Sequence, residues 1–313
     1  MQSEEHSKHT FLEVHFPLIL VQVFFATLPT LSKIAFRTYS PDSVVFFRIF
    51  CSMITFGFIF LFFSKEKIKE TKHLLHLFIF AFFGVTCNQY FFIKGVALTT
   101  AINAGILIAT IPISTLLIAV LLKQEKLTLN KTIGALLAFL GVIVLLNARN
   151  LELTQFLKGN ILVLINATSF SFYLVISKPI LHIYRPFTVI TYLFFFGALQ
   201  MAPLTVHSLR DIPFSTLTLN QIWPLLGIII FGTLLPYLLN TLVLKKTYSS
   251  IVAIYTYIQP LLGAVIACTF LDEKVTIRFV FAGILILFGV TLVNFHKIPF
   301  LPNFLLSVTR IMR

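Results

Sequence analysis

Long apolar runs separated by short polar stretches dominate the chain, and each run has the length of a membrane-spanning helix. A helix of about 20 mainly apolar residues crosses the hydrocarbon core of a bilayer. The predicted spans are residues 16–36, 43–63, 74–93, 100–122, 129–147, 159–181, 187–206, 222–244, 249–270 and 276–295. The pattern therefore predicts an all-α membrane protein with ten transmembrane helices.

The second half of the chain repeats the first. With a shift of 148 residues, Pro112, Glu125, Lys126, Thr128, Gly141 and Val142 match Pro260, Glu273, Lys274, Thr276, Gly289 and Val290 without a gap. Near the start of each copy the shift is 145 residues, so that Pro41 matches Pro186. Self-similarity at a fixed period indicates a duplicated unit. We assign residues 16–147 to the first five-helix repeat and residues 159–295 to the second.

An odd number of helices in each copy determines how the copies are related. After five crossings the chain has changed sides, so the second copy enters the membrane from the opposite face. Such inverted repeats are typical of secondary transporters, in which the substrate site lies near the midplane between the copies. The sequence therefore predicts two inverted repeats and, with them, transport.

Charged residues indicate how the helices are oriented. Of the residues, 58% are hydrophobic and 11% charged, and the net charge is +13. The 24 Lys and Arg residues are dispersed among short loops, which argues against a nucleic-acid partner, because such a partner needs one basic face. Fifteen lie on the side of the amino terminus and eight on the other, with Arg48 counted as intramembrane. Because positive loops stay cytoplasmic, we predict that segment 1–15 and tail 296–313 are both cytoplasmic, the tail lying on the membrane surface.

A motif present in both copies resembles a known family. A helix rich in small residues, with Pro112 or Pro260 at its centre, leads into a Glu-Lys-x-Thr loop and then a glycine-bearing helix. Arg48, in a helix that follows Pro41, also resembles the family's first copy, whereas Leu193 stands at that position in the second copy. Over almost its whole length the chain is similar to the EamA-type transporters of the drug/metabolite transporter superfamily. The resemblance implies transport of small metabolites across the cell inner membrane, with the first four helices of each copy around a cavity.

Polar side chains within the spans are the candidates for binding a substrate. Lipid cannot satisfy their donors and acceptors, so polar faces should point inward, and helical spacing groups several of them on shared faces. The predicted cavity residues are Arg48, Asn88, Tyr90, Asn166, Tyr173, Tyr237, Asn240, Tyr255 and Gln259. For Arg48 the alternatives are contact with a substrate anion and extension of the side chain to the headgroups. For the others, the alternative is hydrogen bonding between helices.

Two repeated residue pairs have structural as well as functional interpretations. Pro112 and Pro260 lie within predicted helices, where a proline bends the backbone, so each is either a hinge for gating or a static kink. Glu125 and Glu273 lie in short loops between helices. For both we favour capping of the following helix or loop ion pairing, because a carboxylate stabilises the start of a helix; gating is the alternative.

Several chemistries lack their usual residues. All 11 Asp and Glu residues lie in loops or at helix ends, which disfavours a relay through a buried carboxylate and favours facilitated transport or exchange. Cys51, Cys87 and Cys268 lie within spans and have no ligand spacing. Neither a GxSxG nor an HExxH motif occurs. We therefore expect no disulfide, metal, cofactor or enzymatic activity.

The leading hypothesis is a secondary transporter in the lipid bilayer. It moves a small polar, zwitterionic metabolite, such as an amino acid or a nucleoside-like derivative, by alternating access. The alternative within transport is efflux of apolar cationic drugs, which the 36 Phe residues favour. A membrane receptor or scaffold without transport is the alternative of another class. Substrate, direction, coupling and oligomeric state are left open by the sequence.

Overall fold

A computed structural model describes residues 11–63, 66–99, 101–145, 156–212, 214–262 and 277–294. All regular secondary structure in these ranges is helical. Six helices are long and apolar enough to cross a membrane, and four shorter apolar helices lie beside them. Together they form ten helical spans, labelled α1 to α10 in chain order.

The first repeat contains helices α1 to α5, of which two are interrupted. A short π-helical turn, Phe11–His15, directly precedes α1. The bounds are Phe16–Ala35 for α1, Pro41–Phe63 for α2, Thr71–Leu98 for α3, Ala101–Ile108 with Ile111–Leu121 for α4, and Leu129–Leu145 for α5. Helix α3 contains the π-helical segment Phe82–Cys87.

The second repeat has the same organisation. The bounds are Leu157–Ile183 for α6, Pro186–Thr205 for α7, Leu219–Lys246 for α8, Ser249–Leu262 for α9 and Ile277–Asn294 for α10. Helix α8 contains the π-helical segment Ile230–Leu234, which begins 148 residues after the π-helical segment of α3. Helix α9 contains a 3₁₀ turn, Tyr255–Tyr257. The interruptions of α3 and α4 therefore recur in their counterparts α8 and α9.

Helices pack mainly across the boundary between the repeats. Helix α1 packs against α8 and its counterpart α6 packs against α3, while α2 pairs with α7, α4 with α9 and α5 with α10. The α5–α10 pair is the closest, because Gly134 and Gly289 allow the two backbones to approach: a Cβ atom built on Gly289 would lie 2.5 Å from the Gly134 carbonyl oxygen. Small residues at such a contact are typical of membrane helices.

The outer surface of the bundle is apolar. Ile54, Phe58, Leu61 and Phe62 of α2 are each more than 60% exposed, as are Ile277 and Ile284 of α10. An exposed apolar surface of this extent is typical of a protein surrounded by lipid. Many of the phenylalanines thus face outward and line no internal site.

Candidate functional site

A cavity lies between the repeats and contains about 630 Å³ of unoccupied space, part of it open to the surroundings. The first repeat contributes Gln22, Phe25, Leu28, Pro29, Arg48, Asn88, Phe92, Ile108 and Ile111, and the second contributes Asn166, Phe170, Tyr237, Asn240, Val252, Thr256 and Gln259. Among the described residues, α5, α7 and α10 provide none of the lining. The family resemblance implied that α1 to α4 and α6 to α9 surround the cavity. Helix α7 differs from that expectation, because it lies behind the cavity wall.

Equivalent positions of the two repeats face the cavity with different side chains. The residue pairs related by the 148-residue shift are Phe92 and Asn240, Ile108 and Thr256, and Ile111 and Gln259. In each pair the first repeat has an apolar residue where the second has a polar one. The two repeats therefore contribute different chemistry to the cavity at equivalent backbone positions.

Arg48 is the one charged residue in the described lining, and it is only 2% exposed. Its Nε donates a hydrogen bond to the Thr233 hydroxyl at 3.0 Å, and its Nη2 donates to the Gly232 carbonyl at 3.0 Å. Both partners are neutral and lie in α8 of the other repeat. The third nitrogen, Nη1, is buried without a hydrogen-bond partner. The guanidinium is thus held against α8 and does not extend to the headgroups.

Tyr237 makes the equivalent contact from the second repeat to the first. Its hydroxyl donates to the Gly84 carbonyl at 2.7 Å and lies equally close to Oδ1 of Asn88. Gly84 and Gly232 are related by the 148-residue shift, and each lies in a π-helical segment. A π-helical turn disrupts the regular hydrogen-bond ladder and often occurs at functional sites. Each repeat therefore presents a backbone carbonyl at this turn to a polar side chain of the other repeat.

Amide side chains complete the polar part of the cavity. Nδ2 of Asn166 donates to the Asn88 backbone carbonyl at 2.7 Å, and Nε2 of Gln259 donates to Oε1 of Gln22 at 2.7 Å. Both bonds join the two repeats. Oδ1 of Asn240, which is 5% exposed, is buried without a hydrogen-bond partner. Two residues that line the cavity, Arg48 and Asn240, thus each have a buried polar atom without a partner.

Six of the nine predicted residues line this cavity: Arg48, Asn88, Asn166, Tyr237, Asn240 and Gln259. The other three predicted residues, Tyr90, Tyr173 and Tyr255, lie outside it. Tyr90 packs near the ammonium group of Lys94, and the Tyr255 hydroxyl is hydrogen-bonded to Nδ1 of His15.

Tyr173 is displaced from the cavity by packing. Its ring fills the space beside Gly84, where a Cβ atom would lie 2.4 Å from the ring. The side chain is buried, and its hydroxyl lies 3.5 Å from the Thr241 hydroxyl. This residue belongs to the contact between the repeats, which is the alternative role that the sequence left open.

Sequence reasoning omitted several residues that line the cavity. Gln22 is an amide within the apolar first half of α1, so its polarity could have identified it from the sequence. Phe25 and Phe170, related by the 145-residue shift, both line the cavity, as does Phe92. Nothing in the sequence separates them from the phenylalanines that face outward.

Pro112 and Pro260 follow the interruptions in α4 and α9. Pro112 is the second residue after the break at Ala109 and Thr110, so α4 consists of two segments and not of one bent helix. Pro260 comes shortly after the 3₁₀ turn of α9. A proline cannot donate to the carbonyl four residues earlier, which here belongs to Ile108 and Thr256. Both of these residues line the cavity.

Glu125 closes one end of the α4–α9 pair. Its carboxylate accepts hydrogen bonds from the Lys131 ammonium and from the hydroxyl and backbone N–H of Ser250, at the start of α9. Burial alone would raise the pKa of Glu125, but these hydrogen bonds hold it below its ordinary value. The expected capping is present, although the capped helix belongs to the other repeat and is not the following helix, α5. Glu273 lies outside the described residues.

Comparisons with known proteins agree with this architecture. A relative from Archaeoglobus fulgidus, described as an uncharacterized transporter, is 25% identical over 276 residues, which cover 88% of this chain and 96% of that protein. The Arabidopsis thaliana protein WALLS ARE THIN 1 is 23% identical, over 91% of this chain and 83% of its own length. A solved crystal structure with 15% sequence identity has the same fold, with a TM-score of 0.72 over 90% of this chain and 96% of that one.

A family profile matches both halves of the chain. The profile of the EamA-like transporter family matches residues 14–147 and again residues 157–295. This double match confirms the predicted fold of ten helices in two inverted repeats, and it confirms the predicted superfamily. The chain belongs to the EamA-like transporter family and is a membrane transporter of small molecules.

Proposed function

We propose that the protein carries an amino-acid-type zwitterion across the cell inner membrane by alternating access. The substrate binds in the cavity between the repeats, and both termini face the cytoplasm. The observation that carries the proposal is the pair of unpaired buried atoms, Nη1 of Arg48 and Oδ1 of Asn240, on two residues that line one cavity. A buried polar atom without a partner is costly, and a ligand that satisfies it recovers that cost.

The two atoms are complementary to the two ends of an amino acid. A carboxylate accepts a charge-assisted hydrogen bond from Arg48, and an ammonium group donates to the amide oxygen of Asn240. The apolar body of the substrate then packs against Phe25, Phe92 and Phe170. A nucleoside-like derivative without an anionic group leaves Arg48 unpaired, so the amino-acid class is preferred.

Efflux of cationic drugs is a weaker candidate. The guanidinium of Arg48 repels a cation, and none of the acidic side chains in the described ranges lines the cavity to attract one. The 36 phenylalanines gave that alternative its support, but only three of those described face the cavity. A receptor or scaffold without transport has no support from the description of the family or from the relatives that are described as transporters.

Alternating access is supported by features of both repeats. The cavity lies between two inverted copies, the arrangement in which rocking of one copy against the other exposes a central site to each side in turn. The interruptions before Pro112 and Pro260 occur at cavity depth and provide points of bending. We propose these two prolines as hinges on this basis.

Counterflow into proteoliposomes tests the proposal. Vesicles containing the purified protein are loaded with unlabelled phenylalanine, leucine or serine and then given the same labelled amino acid outside. We expect labelled amino acid to accumulate transiently, at a rate that Arg48→Gln lowers and that Arg37→Gln, which removes an exposed charge from the α1–α2 loop, leaves unchanged. Accumulation of labelled tetraphenylphosphonium, with no counterflow of any amino acid, would overturn the proposal in favour of cation efflux.

A further inference from the structure

We propose that this transporter works as an exchanger: the loaded carrier changes sides readily, whereas the empty carrier does so slowly. The inference rests on the proposed function, because it assumes a carboxylate-bearing substrate that moves by alternating access. It adds the mode of coupling, which follows from the charge of Arg48 and from the absence of a counterion among the described residues around it.

Arg48 is a buried cation whose described partners are all neutral. Its side chain donates to a hydroxyl and a backbone carbonyl, and Nη1 has no partner. The described ion pairs involve other residues: Lys72 with Glu70, Lys94 with Asp42, Lys131 with Glu125, and Lys246 with Glu13. Asp42, in the same helix as Arg48, is thus paired with Lys94 at 2.7 Å. The positive charge in the cavity is therefore not neutralised by a described carboxylate.

The contacts of Arg48 also hold its guanidinium group at the cavity. Its Nε and Nη2 are bonded to Thr233 and Gly232 of the other repeat. Extension to the headgroups would break both bonds. Binding a carboxylate at Nη1 requires neither change, so the free nitrogen is the position at which an anion is received.

Alternating access passes through a state in which the cavity is closed at both ends. In the empty carrier, closure excludes water from the cavity beside a charge that is already buried and has no counterion among the described residues, and this is strongly unfavourable in a low-dielectric interior. In the loaded carrier the substrate carboxylate neutralises that charge. The barrier to changing sides is therefore lower with substrate than without it.

Efflux from proteoliposomes measures this difference. Vesicles are loaded with saturating labelled phenylalanine and diluted either into buffer alone or into buffer with saturating unlabelled phenylalanine. We expect external phenylalanine to accelerate efflux by about tenfold or more, since each factor of ten corresponds to about 1.4 kcal/mol of barrier. In Arg48→Gln the empty carrier holds no buried charge, so the acceleration should fall towards one. The control Arg37→Gln should retain it.

External analogues test the inference on the unaltered protein, so the result does not depend on the folding of a variant. We expect 3-phenylpropionate, which keeps the carboxylate, to accelerate efflux of labelled phenylalanine. Phenylalaninamide, which lacks a carboxylate, should not accelerate it, and protein-free vesicles correct for passive leakage.

The two proposals fail in different ways. Equal efflux with and without external phenylalanine would overturn the exchange mechanism while leaving the amino-acid carrier intact. Acceleration by phenylalaninamide as strong as that by 3-phenylpropionate would also overturn it. Absence of phenylalanine, leucine and serine transport in both efflux and counterflow would instead overturn the proposed function.

Discussion

Single residues at unmatched positions determine what the cavity can recognise. Asn240 is related by the repeat to Phe92, and Arg48 to Leu193. If all these positions carried the same residue type in both repeats, the cavity would have two similar halves. Because they differ, the groups that we propose to bind the substrate carboxylate and the substrate amine each occur once. A substrate therefore has one preferred orientation between the two repeats.

The amide oxygen of Asn240 should select for the amino group of the substrate. In Asn240→Leu, which keeps the approximate size of the side chain, we expect the affinity for phenylalanine to fall about tenfold or more, as is typical of a lost hydrogen bond to a charged group. Inhibition of counterflow by 3-phenylpropionate should be unchanged, because that analogue has no amino group. Tyr255→Phe is the matched control, since Tyr255 lies outside the cavity and is bonded to His15. An equal loss for both ligands would contradict this role.

At the residue scale, helical spacing predicts which side chains share a face but not what covers that face. Asn166 and Tyr173 are seven residues apart, and the spacing groups them together. Only Asn166 reaches the cavity, because Gly84 allows a neighbouring helix to approach Tyr173. That approach depends on packing between residues distant in sequence, which a single sequence does not reveal.

At the scale of helices, the interruptions are harder to predict than the spans. The break in α4 follows from Pro112, which is visible in the sequence. Neither π-helical segment, in α3 or in α8, contains a proline; Pro236 lies just after the segment of α8. Their carbonyls at Gly84 and Gly232 are bonded to Tyr237 and Arg48 of the opposite repeat. These turns occur together with contacts between the repeats. Because such contacts form only in the folded protein, the sequence alone does not predict the turns.

The α5–α10 contact should tolerate no added side chain. In Gly289→Ala the new Cβ atom would lie 2.5 Å from a backbone oxygen, so the helices must separate. We expect a loss of roughly 1–3 kcal/mol of stability, as is typical of overpacking, visible as a lower melting temperature in detergent. Gly57→Ala is the control, because nothing lies within 4 Å of that position. Equal melting temperatures for the two variants would show that this contact is not close in solution.

The Glu125 contact should stabilise the protein at neutral pH and lose its effect in acid. Its folded-state pKa lies below the ordinary value of 4.5, so the stabilisation is present above about pH 4.5 and disappears as the pH falls through the lowered pKa. Glu125→Gln should lower the melting temperature by a constant amount between about pH 6 and pH 8. The difference between wild type and variant should shrink below pH 4.5. A difference that grows on acidification would contradict this sign.

At the scale of the whole molecule, the repeat made most of the architecture predictable. The 148-residue shift, the number of apolar runs and the odd count per copy lead to two inverted repeats without reference to any contact. The boundary between the repeats, where α1 packs on α8 and α3 on α6, contains the cavity. The positions of the polar residues in that boundary were predictable only in part, because each depends on partners from the other copy.

The charge of the loops predicts the orientation of the molecule in the membrane. This orientation decides which end of the α4–α9 pair the Glu125 contact closes, the cytoplasmic or the external one. The charge distribution predicts a cytoplasmic α4–α5 loop and an external α1–α2 loop, which places Glu125 at the cytoplasmic end. In a protein with its three cysteines replaced by serine, Arg37→Cys and Lys126→Cys each introduce one exposed thiol, in the α1–α2 and α4–α5 loops respectively. A membrane-impermeant maleimide added to intact cells should label the variant at position 37, and should label the variant at position 126 only after the cells are broken. The reverse pattern would place both termini outside and the Glu125 contact at the external end, because an even number of crossings fixes all the loops together.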